Sequence, residues 1–214
     1  MDEVVEEIVA NARRLLSDAK LLAANGSYPT AVSLSVLSIE ESGKACLVRW
    51  KRGGYLTRDI TRDLRAGHIP KQRILGAYLF AKGVFAATDD VADITPEVVR
   101  RASVAGYHAG GLMSFYADSG ALDFMKMTGF YLDVDENLEP MRWATSIRLL
   151  DAEQHISDAE MAIVMATGED RLHRAMALAY EQIGQLHKGL NTTGRKFQEN
   201  LWKTMKELQE GKLE

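Results

Sequence analysis

Ser38-Ile39-Glu40-Glu41-Ser42-Gly43-Lys44-Ala45 lies inside a long apolar-patterned segment from Pro29 to Arg52. Two adjacent carboxylates followed by a lysine are not what packing alone selects for the middle of a mostly buried helix. On a helix Glu40 and Lys44, four residues apart, face each other, while Glu41 points about 100° away. One reading is a solvated ion pair worth ~0.3–0.5 kcal/mol. The other is a polar network at the edge of the core, because Leu37, Ala45 and Val48 share the segment. On the second reading the glutamates form a fixed polar centre.

Outward from this segment, the chain reads as helices. Residues 3–24 place Val5, Ile8, Val9, Ala12, Leu15, Leu16, Ala19 and Leu22 on one face. Asn25-Gly26 stops that helix, and Ser27-Tyr28-Pro29 starts the one carrying the glutamates, which ends at Gly53-Gly54. The link of five residues between them predicts an antiparallel hairpin. Residues 55–67 are polar, with a short helix expected. A long helix follows from His68-Ile69-Pro70 to Ala87, and Thr95-Pro96-Glu97 opens another that runs to about residue 116. Residues 117–142 are the least regular part, with Gly129-Phe130-Tyr131-Leu132-Asp133-Val134 read as extended. Helices over about 143–166 and 169–190 come next, separated by Thr167-Gly168. Residues 195–214 are a candidate exposed C-terminal helix. The fold class is all-α, read as a single domain over residues 1–214, with no internal repeat.

The balance of 26 basic against 30 acidic residues gives a net charge of −4. A global basic field for nucleic acid is therefore absent, and only a local patch is open to it. The single cysteine, Cys46, rules out an intrachain disulfide and reads as a buried inert thiol. The acidic start Met1-Asp2-Glu3-Val4-Val5-Glu6-Glu7 is unlike a signal peptide, and no apolar run reaches the ~18 residues of a membrane span. A cytoplasmic location without membrane association is expected.

Three further patterns bear on chemistry. Asp151 with His155 and Asp170 with His173 have helical spacing. Only this aspartate version of the carboxylate–histidine metal pattern occurs, and cysteine pairs are absent. Arginine precedes histidine at short spacing three times: Arg62–His68, Arg101–His108 and Arg148–His155. Such a pair suits metal-free RNA cleavage, with the histidine moving a proton and the arginine stabilising the phosphate. Arg62–His68 lies at a loop-to-helix junction, where side chains converge. Finally, Arg58, Arg62, Arg65, His68, Lys71 and Arg73 form the densest basic cluster. It reads either as solvated surface or as a phosphate-contacting patch.

In chain order, several of these segments resemble the AbiV family of abortive-infection proteins, within the HEPN superfamily. They are Asn11-Ala12-Arg13-Arg14-Leu15-Leu16, Asp18-Ala19-Lys20-Leu21-Leu22, Gly26-Ser27-Tyr28 and Ser38-Ile39-Glu40-Glu41-Ser42-Gly43-Lys44. His68 with Lys71, then Lys126 with Gly129-Phe130-Tyr131-Leu132-Asp133 and Pro140, complete the resemblance over roughly residues 8 to 165. It implies a HEPN-like antiparallel helical bundle with additional C-terminal helices, a homodimer, and a role in phage defence. Active HEPN relatives are ribonucleases that use an Arg-x(4–6)-His motif, with two copies meeting at the dimer interface. On that reading His68 is the acid/base and Arg62 the phosphate stabiliser. Lys44 and Lys71 add positive charge, and Glu40 or Glu41 orients them. Arg58, Arg65, Lys126, Tyr131 and Asp133 are expected to contact the substrate, cellular or phage RNA. No metal or other cofactor is expected. The alternative is a non-catalytic module that blocks translation through an RNA, a phage protein or the translation machinery.

Overall fold

The structure is a computed structural model describing residues 2–56, 59–65, 67–87, 117, 119–131, 133–134, 140–141 and 146–187. Seven helices occur among these residues. They are α1 (Glu3–Ala24), α2 (Tyr28–Gly53), α3 (Thr61–Arg65), α4 (Ile69–Ala87), α5 (Ala121–Phe130), α6 (Leu149–Ala166) and α7 (Asp170–His187). One two-residue antiparallel pairing joins β1 (Asp133–Val134) to β2 (Pro140–Met141). The all-α class expected from the sequence holds. The helix expected after Thr95-Pro96-Glu97, the Arg101–His108 pair, Arg58 and the segment 195–214 lie outside the described residues.

The central element is α2, which packs against α1, α4, α5 and α6. A helix surrounded this way cannot be amphipathic, so its buried positions run around it and are mostly small: Ala31, Ser33, Ser35, Ser38, Ser42, Gly43 and Ala45. Small side chains let neighbouring backbones come close, and the hydroxyls of Ser33, Ser35 and Ser38 find backbone acceptors. Ser38 Oγ donates to the Ala12 carbonyl of α1 at 2.8 Å, and Ser35 Oγ to the Ala31 carbonyl at 2.9 Å. Asp2 caps α1 by accepting from the Val4 amide at 3.0 Å, and Arg52 pairs with Asp2. The pairs Ala12–Ser38 and Asp2–Arg52 fix α1 and α2 as the antiparallel hairpin expected from their short link. Just past Arg52, Gly54 ends α2 in the left-handed conformation, φ 65°, which glycine adopts without steric cost.

Two elements differ from the sequence reading. Ala121–Phe130 is helical where irregular chain was expected, and the extended backbone begins only at Tyr131, φ −123° and ψ 142°. The buried face of α5 carries Leu122 and Lys126, while Met127 and Phe130 are exposed. A lysine inside and apolar residues outside erase the periodicity that signals a helix. The helix expected from residue 143 begins instead at Leu149, because the Asp151 carboxylate accepts from the Arg148 amide at 2.8 Å and sets the first turn there.

The main apolar core gathers Trp50, Ile39, Leu47, Ile74, Leu75, Met165 and Met176. Cys46 lies in it, fully buried, and burial pushes its thiol up to about 12. It is not a nucleophile at neutral pH. α7 closes this end through Tyr180, whose hydroxyl donates to Asp63 of α3 at 2.9 Å and whose ring tilts against Trp50, centroids 5.6 Å apart. The Trp50 indole donates to His173 Nδ1 at 3.1 Å. His173 is fully enclosed, and burial, reinforced by the nearby Arg49 guanidinium, lowers its pKa to about 4. No helix among the described residues is long and apolar enough to cross a membrane.

The buried imidazole makes stability depend on pH. Its folded pKa lies below the unfolded value of ~6.5, so the unfolded chain binds more protons between those values. Stability is full above pH ~6.5 and falls as the pH drops towards 4, by ~3 kcal/mol from this group. Urea denaturation across that range should show the loss in the wild type and a shallower slope in His173→Gln. Equal slopes would contradict the assignment.

Candidate functional site

Midway along α2, the helix meets α4 at a contact only glycine permits. A Cβ on Gly43 would run into the Lys71 carbonyl oxygen. The two backbones therefore touch at Gly43 and Lys71. One turn back on each lie Glu40 and His68, which this close approach brings face to face.

Glu40 is 5 % exposed, and both of its oxygens are occupied. Oε1 accepts from Gln72 Nε2 at 2.8 Å and from Lys126 Nζ at 2.9 Å. Oε2 meets His68 Nδ1 at 2.6 Å. A carboxylate oxygen accepts, so Nδ1 carries the proton. Nε2 has no hydrogen bond among the described residues, and the His68 side chain is 46 % exposed. The arrangement is a buried carboxylate holding the inner nitrogen of a ring whose other nitrogen faces outward, the geometry that orients a histidine for proton transfer. Lys126 is almost fully buried, and its ammonium also contacts Asp123 Oδ1 at 2.6 Å. α5 is pinned in place by Ser33 Oγ, which donates to the Lys126 carbonyl, and by Gly129, which packs against Pro29 of α2.

The sequence-derived residues sort by position. Glu40 and His68 come together as expected, 28 residues apart in sequence. Glu40 and Lys44 do not pair. Lys44 Nζ instead contacts Glu41 Oε1 at 2.6 Å, because Glu40 turns inward to three other donors. Glu41 and Lys44 form a separate, partly exposed pair beside the centre. Lys71 contributes its backbone to the Gly43 contact and makes no salt bridge with either glutamate. Arg62 and Arg65 are exposed on α3 and outside the hydrogen-bonded network. Tyr131 is exposed just past α5, and Asp133 lies in β1. Lys126, expected at a substrate surface, is an interior member of the network.

Sequence reasoning missed Gln72 and Asp123. Gln72 is fully buried on an otherwise apolar face of α4 between Ile74, Leu75 and the α2 contact, and that mismatch was the available signal. His155 and His173 do different work. His155 faces Asp158 at 3.8 Å, and burial lowers its pKa. Arg148 is exposed at the start of α6, seven residues before it. His173 is held by Trp50, not by Asp170, which pairs with Arg49 at 2.6 Å. Among the described residues, Glu40, His68 and Asp123 are the one group with metal-ligating atoms close enough to share an ion, all within 4.8 Å of one another. A separate cavity of about 470 Å³ sits at the C-terminal end of α2, lined by Arg49, Arg52 and Tyr55. There Arg52 is taken up by Asp2, and Arg49 by Asp170.

Residues 1–167 match the family model HEPN_AbiV, described as AbiV. No curated protein and no solved structure matches the chain.

The buried network can be tested without any assay of function. Glu40→Gln and Lys126→Met should each cost ~3–5 kcal/mol, because each leaves a buried partner unpaired. The double variant should lose clearly less than the sum. Urea midpoints measure all three, and additive losses would mean that the two groups do not interact.

Proposed function

Because the chain belongs to the AbiV family of HEPN proteins, we propose that it acts in abortive infection as a metal-independent ribonuclease with His68 as its acid/base. The observation that carries this reading is the 2.6 Å contact between buried Glu40 and half-exposed His68. A ring held at Nδ1 by a fixed carboxylate presents Nε2 to solvent in one orientation. At a bound RNA, Nε2 accepts the proton of a ribose 2′-hydroxyl. The resulting oxygen attacks the adjacent phosphorus, and the 5′ oxygen leaves with a proton. The products are a 2′,3′-cyclic phosphate and a free 5′-hydroxyl.

The pentavalent phosphate needs positive charge around it. Arg62 and Arg65, both exposed on α3, lie shortly before His68 in the chain. Lys71, a turn into α4, and Lys44, beside Glu41, extend the basic side. Tyr131 is exposed and has a face on which a base can stack. Arg58 and Asp133 complete the proposed substrate contacts. Two copies of the chain, joined as a homodimer, would set two His68 side chains along one RNA groove. Glu40, Gln72 and Lys126 are positioning residues in this scheme and do not touch the substrate.

One observation favours a second reading. Arg62 lies outside the network that holds His68, so the arginine–histidine pair is not pre-assembled within one copy. A non-catalytic protein that blocks translation by binding an RNA or protein partner would have the same interior.

Purified protein incubated with RNA in the presence of a chelator separates the two. The ribonuclease reading predicts cleavage to cyclic-phosphate ends, reduced ~10²–10⁴-fold by His68→Ala with folding intact. Arg62→Ala should also lose activity. Absence of cleavage, together with phage protection that survives His68→Ala in cells, would overturn it in favour of the binding protein.

A further inference from the structure

Glu40, His68 and Asp123 come from three different elements: the middle of α2, the residue before α4 and the first turn of α5. Their ligating atoms lie within 4.8 Å of one another. Around a zinc-class ion with bonds of ~2.0–2.2 Å, tetrahedral ligands sit roughly 3.4 Å apart. Shifts of about an ångström would therefore close the group on an ion. His68 and Asp123 are 46 % and 42 % exposed at the side chain, so the group is open to solvent on one side while Glu40 anchors it from within.

The group already holds one cation. The Lys126 ammonium lies 2.9 Å from Glu40 Oε1 and 2.6 Å from Asp123 Oδ1, bridging two of the three ligands. The third ligand, the imidazole of His68, is not among its contacts. An ammonium can use the two carboxylates but gains no coordinate bond from a ring nitrogen. A transition-metal ion can use all three, and imidazole with carboxylates selects zinc-class ions over magnesium or calcium.

We propose that Glu40, His68 and Asp123 bind one divalent zinc-class ion, which displaces the Lys126 ammonium from the two carboxylates and takes His68 through Nδ1, the nitrogen that faces Glu40, with the ring proton moving to Nε2, which then cannot accept a proton. The bound ion claims His68 and withdraws it from proton transfer, so occupancy acts as a brake on the site. The ion-binding half stands on the geometry alone. The braking half rests on the ribonuclease reading.

Zinc titration of the full chain, followed by calorimetry and by thermal melting, tests the exchange. The wild type should bind one equivalent and melt at a higher temperature with zinc, as a ligand of the folded state must. Asp123→Asn and His68→Gln should each weaken binding at least tenfold; both replace half-exposed side chains and leave the interior packing in place. Lys126→Met, which removes the competing ammonium, should tighten binding at least tenfold. Zinc should also slow RNA cleavage by the wild type at least tenfold. No stoichiometric binding by the wild type would overturn the proposal, even if Lys126→Met alone bound the ion, since the native chain would then be closed to it. Binding unchanged by Asp123→Asn would also overturn it, by placing the ion at an adventitious surface site. Intact zinc binding by a protein that never cleaves RNA would overturn the braking half and the ribonuclease reading, and leave the site standing.

Discussion

A carboxylate in the interior of a helical bundle is a constraint that the surrounding helices must meet. Glu40 is nearly inaccessible, and it sits on the helix that α1, α4, α5 and α6 pack around. Removing such a group from water costs several kcal/mol unless its lone pairs are satisfied. Here the donors come from the residue before α4, from its first turn and from α5, so the carboxylate cannot be satisfied unless those elements are in place. Glu40 thus ties the position of α4 and α5 to α2. The small residues of α2 make the same arrangement sterically accessible: Gly43 admits the α4 backbone, and Ser33 accommodates α5.

This coupling links packing to function. His68 would be an ordinary surface histidine if α4 began a few ångströms away. The contact at Gly43 and Lys71 sets the distance, and the Glu40 carboxylate sets the ring orientation. Lys126 sits between Glu40 and Asp123, so that two acidic groups share a small volume with a cation between them. At the other end of α2, Arg49 bonds the Gly168 carbonyl and Asp170, while Trp50 bonds His173. These contacts hold the α6–α7 turn against the central helix and leave the half-exposed face of His68 to solvent.

Much of the fold was legible because most helices obey simple rules. The apolar stripe of α1, the glycine stop of α2 and the proline near its start define the first hairpin almost to the residue. α5 was not legible, since Lys126 occupies an inward position and Met127 and Phe130 point out. Of the site, Glu40 and His68 were readable as partners through the family resemblance, which sets them on successive helices. The pairing of Lys44 was read wrongly because helical spacing permits both i, i+4 and i, i+3, and only the inward turn of Glu40 decides between them. Gln72, Asp123 and the inward role of Lys126 depend on contacts 32 or more residues apart, or on which face of an unrecognised helix is buried. No local pattern encodes those.

The central claim is that buried Glu40 fixes the imidazole of His68 through Nδ1. Nitrogen NMR of protein labelled at the histidine ring reads this directly. In the wild type, the neutral ring of His68 should be protonated at Nδ1 with Nε2 bare, and Glu40→Gln should abolish that preference. A His68 ring protonated at Nε2 in the wild type, or one unaffected by Glu40→Gln, would contradict the account.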